Sequence, residues 1–177
     1  AINILEKINT KKTTILQCTT EYPCSYENVG LNVMLEMKDR YGLPFGLSDH
    51  TTSNYASFAA VTLGASIIEK HLTLSNKMTG PDHKASINPK QFKAMVKGIR
   101  QTEEMLGNGK KKPTQKELHN KKFVRKSLVA KKSIKKGDRF TDKNMTTKRP
   151  ALGISPMKYQ YKLNKIAKKN YSEDDYI

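Results

Sequence analysis

The chain has 177 residues, with 33 Lys and Arg against 16 Asp and Glu, for a formal net charge of +17. Its mean hydropathy is -0.69, and no apolar run approaches the roughly 20 residues that a membrane-spanning helix needs, which excludes a transmembrane helix. Two cysteines, Cys18 and Cys24, are too few for a disulfide scaffold and lack paired C-x-x-C spacing, so both are expected as reduced thiols in a cytoplasmic protein.

In chain order, Ile2, Leu5 and Ile8 stand at helical spacing and predict a helix tail over residues 1–9. The chain opens Ala-Ile-Asn-Ile-Leu, without Met or a charged-then-apolar leader, so no secretory signal is expected and the gene is expected to begin upstream. Thr13 to Cys18 is β-branched and apolar and predicts a strand. Leu31 to Tyr41, closed by Gly42, predicts a helix with a glycine stop. Leu43 to Ser48 predicts a second strand, Asn54 to Leu63 an Ala-rich helix, and Ser66 to Leu74 a third strand. Asn88 and Pro89 offer an N-cap and a first-turn proline for a helix through Leu106, with Phe92, Met95, Val96 and Ile99 on one face. Regular alternation of strand and helix argues for parallel βαβ units, in a doubly wound sheet or a (β/α)8 barrel. No G-x-G-x-x-G or P-loop pattern follows any of the strands, which weakens a nucleotide-binding reading.

The charge is uneven. Residues 1–106 hold 12 Lys and Arg against 10 Asp and Glu, a net of +2; residues 107–177 hold 21 against 6, a net of +15. The run Gly107-Asn108-Gly109-Lys110-Lys111-Lys112-Pro113 has the composition of a linker, so two units are expected. A lysine-rich tail can neutralise phosphates, which makes a basic nucleic-acid-binding module the rival reading. The chain has no Trp, and Phe123, Phe140, Tyr159 and Tyr161 form no recognisable stacking motif among the lysines, so nucleic acid is not the expected partner.

Polar residues concentrate where the three predicted strands stop: Thr19-Thr20-Glu21-Tyr22-Pro23, Ser48-Asp49-His50-Thr51 and Glu69-Lys70-His71. Side chains alternate faces along a strand, so Thr20 and Tyr22 share a face, as do Ser48 and His50, and Glu69 and His71. The carboxyl ends of parallel strands form the active-site rim of α/β folds. Two imidazoles there, with positions left open, suit a divalent ion that also binds substrate oxygens, and Glu69 suits the handling of water or a proton. The plainer readings are a hydrogen-bonded structural His, an ion pair of Glu69 with Lys70, and a packed Tyr22 with a wet hydroxyl. His83, in the polar loop Gly80-Pro81-Asp82-His83-Lys84-Ala85-Ser86, and His119 are expected to be solvated.

Together with Ile68-Glu69-Lys70-His71-Leu72-Thr73-Leu74 and Lys148-Arg149-Pro150, these segments resemble the N-acetylneuraminate (sialic acid) synthase family in order and spacing over essentially the whole chain. The resemblance implies an incomplete (β/α)8 barrel, comprising the last three βα units (residues 1–106), a linker (107–122) and a small, mostly β SAF (antifreeze-like) domain (123–177). In that domain Ser127 to Ala130, Ile134 to Asp138, Phe140-Thr141 and Asn144 would form short strands and turns. It implies condensation of phosphoenolpyruvate with N-acetylmannosamine and water to give N-acetylneuraminate and phosphate, with legionaminic or pseudaminic acid synthases as the alternative. His50 and His71 would hold the metal, Mn²⁺ first, with Mg²⁺ or Co²⁺ as alternatives. Thr20, where relatives often carry Ser or Asn, and Ser48 would bind phosphoenolpyruvate; Tyr22 and Asp82 would bind the sugar; Glu69 would handle water. Arg149, with Phe123 close by, would reach the sugar of a partner subunit in a domain-swapped homodimer. Three parallel strands cannot close a barrel, so the 177 residues alone are expected to be inactive.

Overall fold

A computed structural model describes residues 2–5, 7 and 13–177. The chain divides into two compact units, Ala1–Lys110 and Lys111–Ile177. Helix α1 covers Ile2–Leu5, and Ile8 of the predicted first helix lies outside the described residues. The first unit continues with β1 (Ile15–Cys18), α2 (Leu31–Tyr41), β2 (Phe45–Asp49), α3 (Tyr55–Thr62), β3 (Ile67–Lys70) and α4 (Pro89–Leu106). The strands form one parallel sheet in the order β1-β2-β3, as short βαβ connections require. Helix α2 has the predicted limits, and Gly42 ends it in the left-handed region at φ 62°, its N–H donating to the Lys38 carbonyl. The third strand is shorter than predicted: beyond Lys70 only Leu72 bridges, to Ile87.

Alternation along β2 sorts its side chains. Phe45 and Leu47 join Met34, Ala56 and Ala60 in the core between sheet and helices, with Ile68 of β3 packed against it. Gly46 lies on the other face, where a Cβ would stand 2.2 Å from the Ile67 carbonyl oxygen, so only glycine lets the two strands approach. Helix α4 begins with a capping box: the Asn88 side chain accepts the Gln91 N–H, and the Gln91 side chain accepts the Asn88 N–H. It buries Met95, and Gly98 admits the Phe58 ring of α3 into space that a Cβ would fill.

In the second unit α5 (Gln115–Val124) occupies much of the stretch read as a linker and extends past Phe123. A second capping box starts it; the Glu117 carboxylate accepts the Thr114 N–H, which holds the Glu117 carboxyl below its ordinary range. Strands β4 (Ser127–Ala130) and β5 (Met145–Lys148) pair antiparallel, and α6 (Tyr159–Lys162) follows. Isolated bridges join Ile134 to Tyr171 and Arg139 to Ile166 around a core of Leu128, Ala130, Ile134, Phe140, Met145, Ala167 and Ile177. Among the described residues no helix is long and apolar enough to cross a membrane.

Candidate active site

The site lies at the carboxyl ends of β1, β2 and β3. Register sets it up: Cys18 pairs with Ser48 and Ser48 with Glu69, so the residues just beyond these positions come together. His50 and His71 each stand immediately after the last residue of their strand, on the same face as Ser48 and Glu69. Their ring centroids are 5.3 Å apart, and the Tyr22 ring packs 4.2 Å from His50 and 5.2 Å from His71. Tyr22 and the exposed Thr20 belong to the loop after β1, which ends at Cys18; the loop path rather than strand alternation brings Tyr22 there.

Hydrogen bonding fixes one ring proton of the buried His50. Its Nδ1 lies 2.6 Å from the Thr19 carbonyl oxygen, which can only accept, so Nδ1 carries the proton. The Ser48 hydroxyl donates to Glu69 Oε1 at 2.6 Å. That hydroxyl has a single proton, and its oxygen also lies 3.3 Å from His50 Nε2; in a neutral ring protonated at Nδ1 the lone pair is on Nε2. The His50 carbonyl accepts the Cys24 N–H at 2.9 Å, which ties the loop after β1 to the imidazole-bearing segment. Within that loop Asn28 donates to Glu21 and holds the Glu21 carboxyl below its ordinary range, while Thr19 Oγ1 donates to the Asn28 carbonyl at 2.8 Å.

His71 Nδ1 is 3.8 Å from an Asp82 carboxylate oxygen, close enough for electrostatic attraction and too long for a hydrogen bond. The loop that carries Asp82 is pinned by His83, which corrects the expectation of a solvated imidazole: its Nδ1 lies 2.8 Å from the hydroxyl of buried Thr73, and Asn76 donates to its carbonyl. His119 is exposed. The Glu69–Lys70 ion pair does not form. The two side chains point to opposite faces, and Lys70 instead meets Asp49 at 2.9 Å in full burial. Phe123 and Arg149 belong to the second unit, where both are exposed.

Two imidazoles on the site face fit a divalent ion of borderline character, and oxygen ligands would have to complete it. Among the described residues no group of three His, Cys, Asp or Glu is disposed to hold a metal, so an ion on these two imidazoles would need further ligands. The roomier cleft of the first unit, about 570 Å³, is lined by Lys38, Gly42, Pro44 and Ser66 at the amino ends of the strands, away from this chemistry.

Residues 1–111 match the NeuB family and residues 125–177 match the SAF domain. The chain belongs to the NeuB family. It is 51% identical to the N,N'-diacetyllegionaminic acid synthase of Campylobacter jejuni, over 100% of this chain and 54% of that protein. It is 37% identical to the human N-acetylneuraminate-9-phosphate synthase, over 75% of this chain and 37% of that protein. Among solved structures it is similar to the N-acetylneuraminic acid (sialic acid) synthetase of Leptospira borgpetersenii, with a TM-score of 0.58 and 31% identity, over 67% of this chain and 41% of that one. The chain thus spans about half or less of the length of the curated relatives described.

Proposed function

We propose that these residues form the carboxyl-terminal sector of a nonulosonic acid synthase that makes a di-N-acetylated acid of the legionaminic type. The observation that carries this reading is the convergence of His50, His71, Tyr22 and the Ser48–Glu69 pair on one rim, in a chain of this family. The higher identity to the legionaminic acid synthase supports that product over N-acetylneuraminate, which the motif resemblance had favoured.

The reaction condenses phosphoenolpyruvate with an amino-sugar aldehyde and water. The enol carbon attacks the aldehyde carbon, water adds at the resulting cationic carbon, and the tetrahedral adduct expels phosphate. His50 and His71 would hold a divalent ion, Mn²⁺ first, which when bound polarises the aldehyde oxygen as a Lewis acid. The Thr19 carbonyl keeps the Nδ1 proton of His50 in place and so presents Nε2 to the site. Thr20 and Ser48 bind phosphoenolpyruvate, Ser48 by turning its one hydroxyl proton from Glu69 to the substrate, and Glu69 accepts a hydrogen bond from the water and orients it. Tyr22 and Asp82 hydrogen-bond the sugar. In a domain-swapped homodimer Arg149 would reach the partner's sugar, with Phe123 beside it, and the excess of 21 Lys and Arg over 6 Asp and Glu in residues 107–177 would favour entry of anionic substrates.

The test uses a polypeptide of the relatives' full length that contains these residues, assayed for phosphate release and product mass. A di-N-acetylated amino-sugar acceptor is expected to give the highest kcat/KM, at least about tenfold above N-acetylmannosamine, the discrimination expected of a site that hydrogen-bonds a substrate group the competitor lacks. Preference for N-acetylmannosamine would return the product to N-acetylneuraminate; no phosphate release with any acceptor would overturn the reaction class.

A further inference from the structure

The face of the sheet turned away from the imidazoles carries a pair of opposite charges where a core would be expected. Asp49 and Lys70 are register partners on β2 and β3, their side chains are 0% and 1% exposed, and they meet at 2.9 Å. Every polar atom of the pair is used. Asp49 Oδ1 accepts the Thr51 N–H at 2.9 Å, Oδ2 accepts the Ser57 hydroxyl of α3 at 2.6 Å, and Lys70 Nζ also donates to the Thr51 carbonyl at 2.7 Å. Each charged residue immediately precedes one of the two histidines.

We propose that the Asp49–Lys70 pair is a positioning couple that sets the separation of the His50 and His71 imidazoles, and with it the affinity of that ligand pair for a divalent cation. The inference rests on the reading that these imidazoles hold a metal. Lys70 grips the chain on both sides of His50, through the Asp49 side chain before it and the Thr51 carbonyl after it, while its own backbone leads directly into His71. The two ligand-bearing segments are therefore joined at two points by directed bonds. Stability alone does not call for this arrangement, since well-packed apolar side chains commonly replace a buried ion pair without loss. Apolar contacts do not fix direction or register as these bonds do, and a two-imidazole site depends on both.

The experiment compares, in a polypeptide of the relatives' full length, the wild type with Asp49→Leu/Lys70→Met, Ser57→Ala and His50→Ala. Mn²⁺ alone is titrated and the free ion read by electron paramagnetic resonance, and Tm is measured with chelator present. The apolar double variant also takes away the partners of the Thr51 N–H, the Thr51 carbonyl and the Ser57 hydroxyl, so its Tm is expected to fall; in the folded protein its Mn²⁺ Kd is expected to rise about tenfold, the scale seen when outer-shell partners of metal ligands are removed. Ser57→Ala, which deletes one bond to Asp49, is expected to raise the Kd by a smaller factor, and this variant carries the test if the double variant does not fold. An Mn²⁺ Kd that matches the wild type in folded variants would overturn the positioning role and leave the pair purely structural. That outcome is distinct from failure of the metal reading, in which the wild type takes up no more Mn²⁺ than His50→Ala, and the positioning role falls with it.

Discussion

The two faces of the three-stranded sheet are both polar at their carboxyl ends, yet they do opposite things with their charges. On one face Ser48 donates to Glu69 at 2.6 Å and its oxygen lies 3.3 Å from His50 Nε2. On the other, Asp49 and Lys70 are sealed between sheet and helices with every polar atom satisfied. The comparison teaches that alternation along two short strands separates the groups proposed to react from the pair proposed to aim them. A single-residue step decides which side a charge serves.

The largest expected effect breaks the site face. His71→Ala, made in a polypeptide of the relatives' full length, should lower metal-dependent turnover by on the order of a thousandfold while Tm moves little, because the buried Asp49–Lys70 charges stay paired. Steady-state kinetics with and without Mn²⁺, read beside a thermal melt, checks this; turnover that stays metal-dependent would remove His71 from the site.

Next in size is the opposite pattern from the opposite face. Lys70→Met alone leaves the Asp49 carboxylate buried without its counter-charge and should cost about 3–5 kcal/mol of stability. Denaturant unfolding at neutral pH measures it, and a cost below about 1 kcal/mol would mean that the pair is not sealed from water.

The smallest effect sharpens the comparison at the loop between the faces. Burial pushes the Cys24 thiol above its ordinary value, whereas Cys18 is exposed. A raised pKa means less thiolate at a given pH, so near pH 8 alkylation followed by mass spectrometry should label Cys18 first, with Cys24 catching up as pH rises. Equal rates at that pH would show that the loop opens readily.

Much of the fold could be read directly from the residues. Helix α2 ended where Gly42 said it would, and Asn88-Pro89 opened α4 with the expected cap, because these signals act within a few residues of themselves. The pairing of Ser48 with His50 and Glu69 with His71 was equally local, following from period-two alternation. What stayed hidden depended on partners distant in sequence. Lys70 reads as Glu69's neighbour until register places it opposite Asp49, and His83 looks unpartnered until its loop folds back to Thr73. A trace of the buried pair was present all the same: opposite charges one residue before each histidine, at positions continuing the apolar series Phe45, Leu47 and Ile68.

By itself, then, the sequence determined the alternation of strand and helix, the face on which each histidine stands and the concentration of positive charge beyond residue 107, since period, capping and composition are properties of neighbouring residues. Only the tertiary structure decided which nitrogen of His50 donates to Thr19, which carboxylate holds Lys70 and what anchors the Asp82 loop. Those outcomes depend on hydrogen bonds closed across strands and loops, and a donor chooses its acceptor only when packing has brought the two within 3 Å.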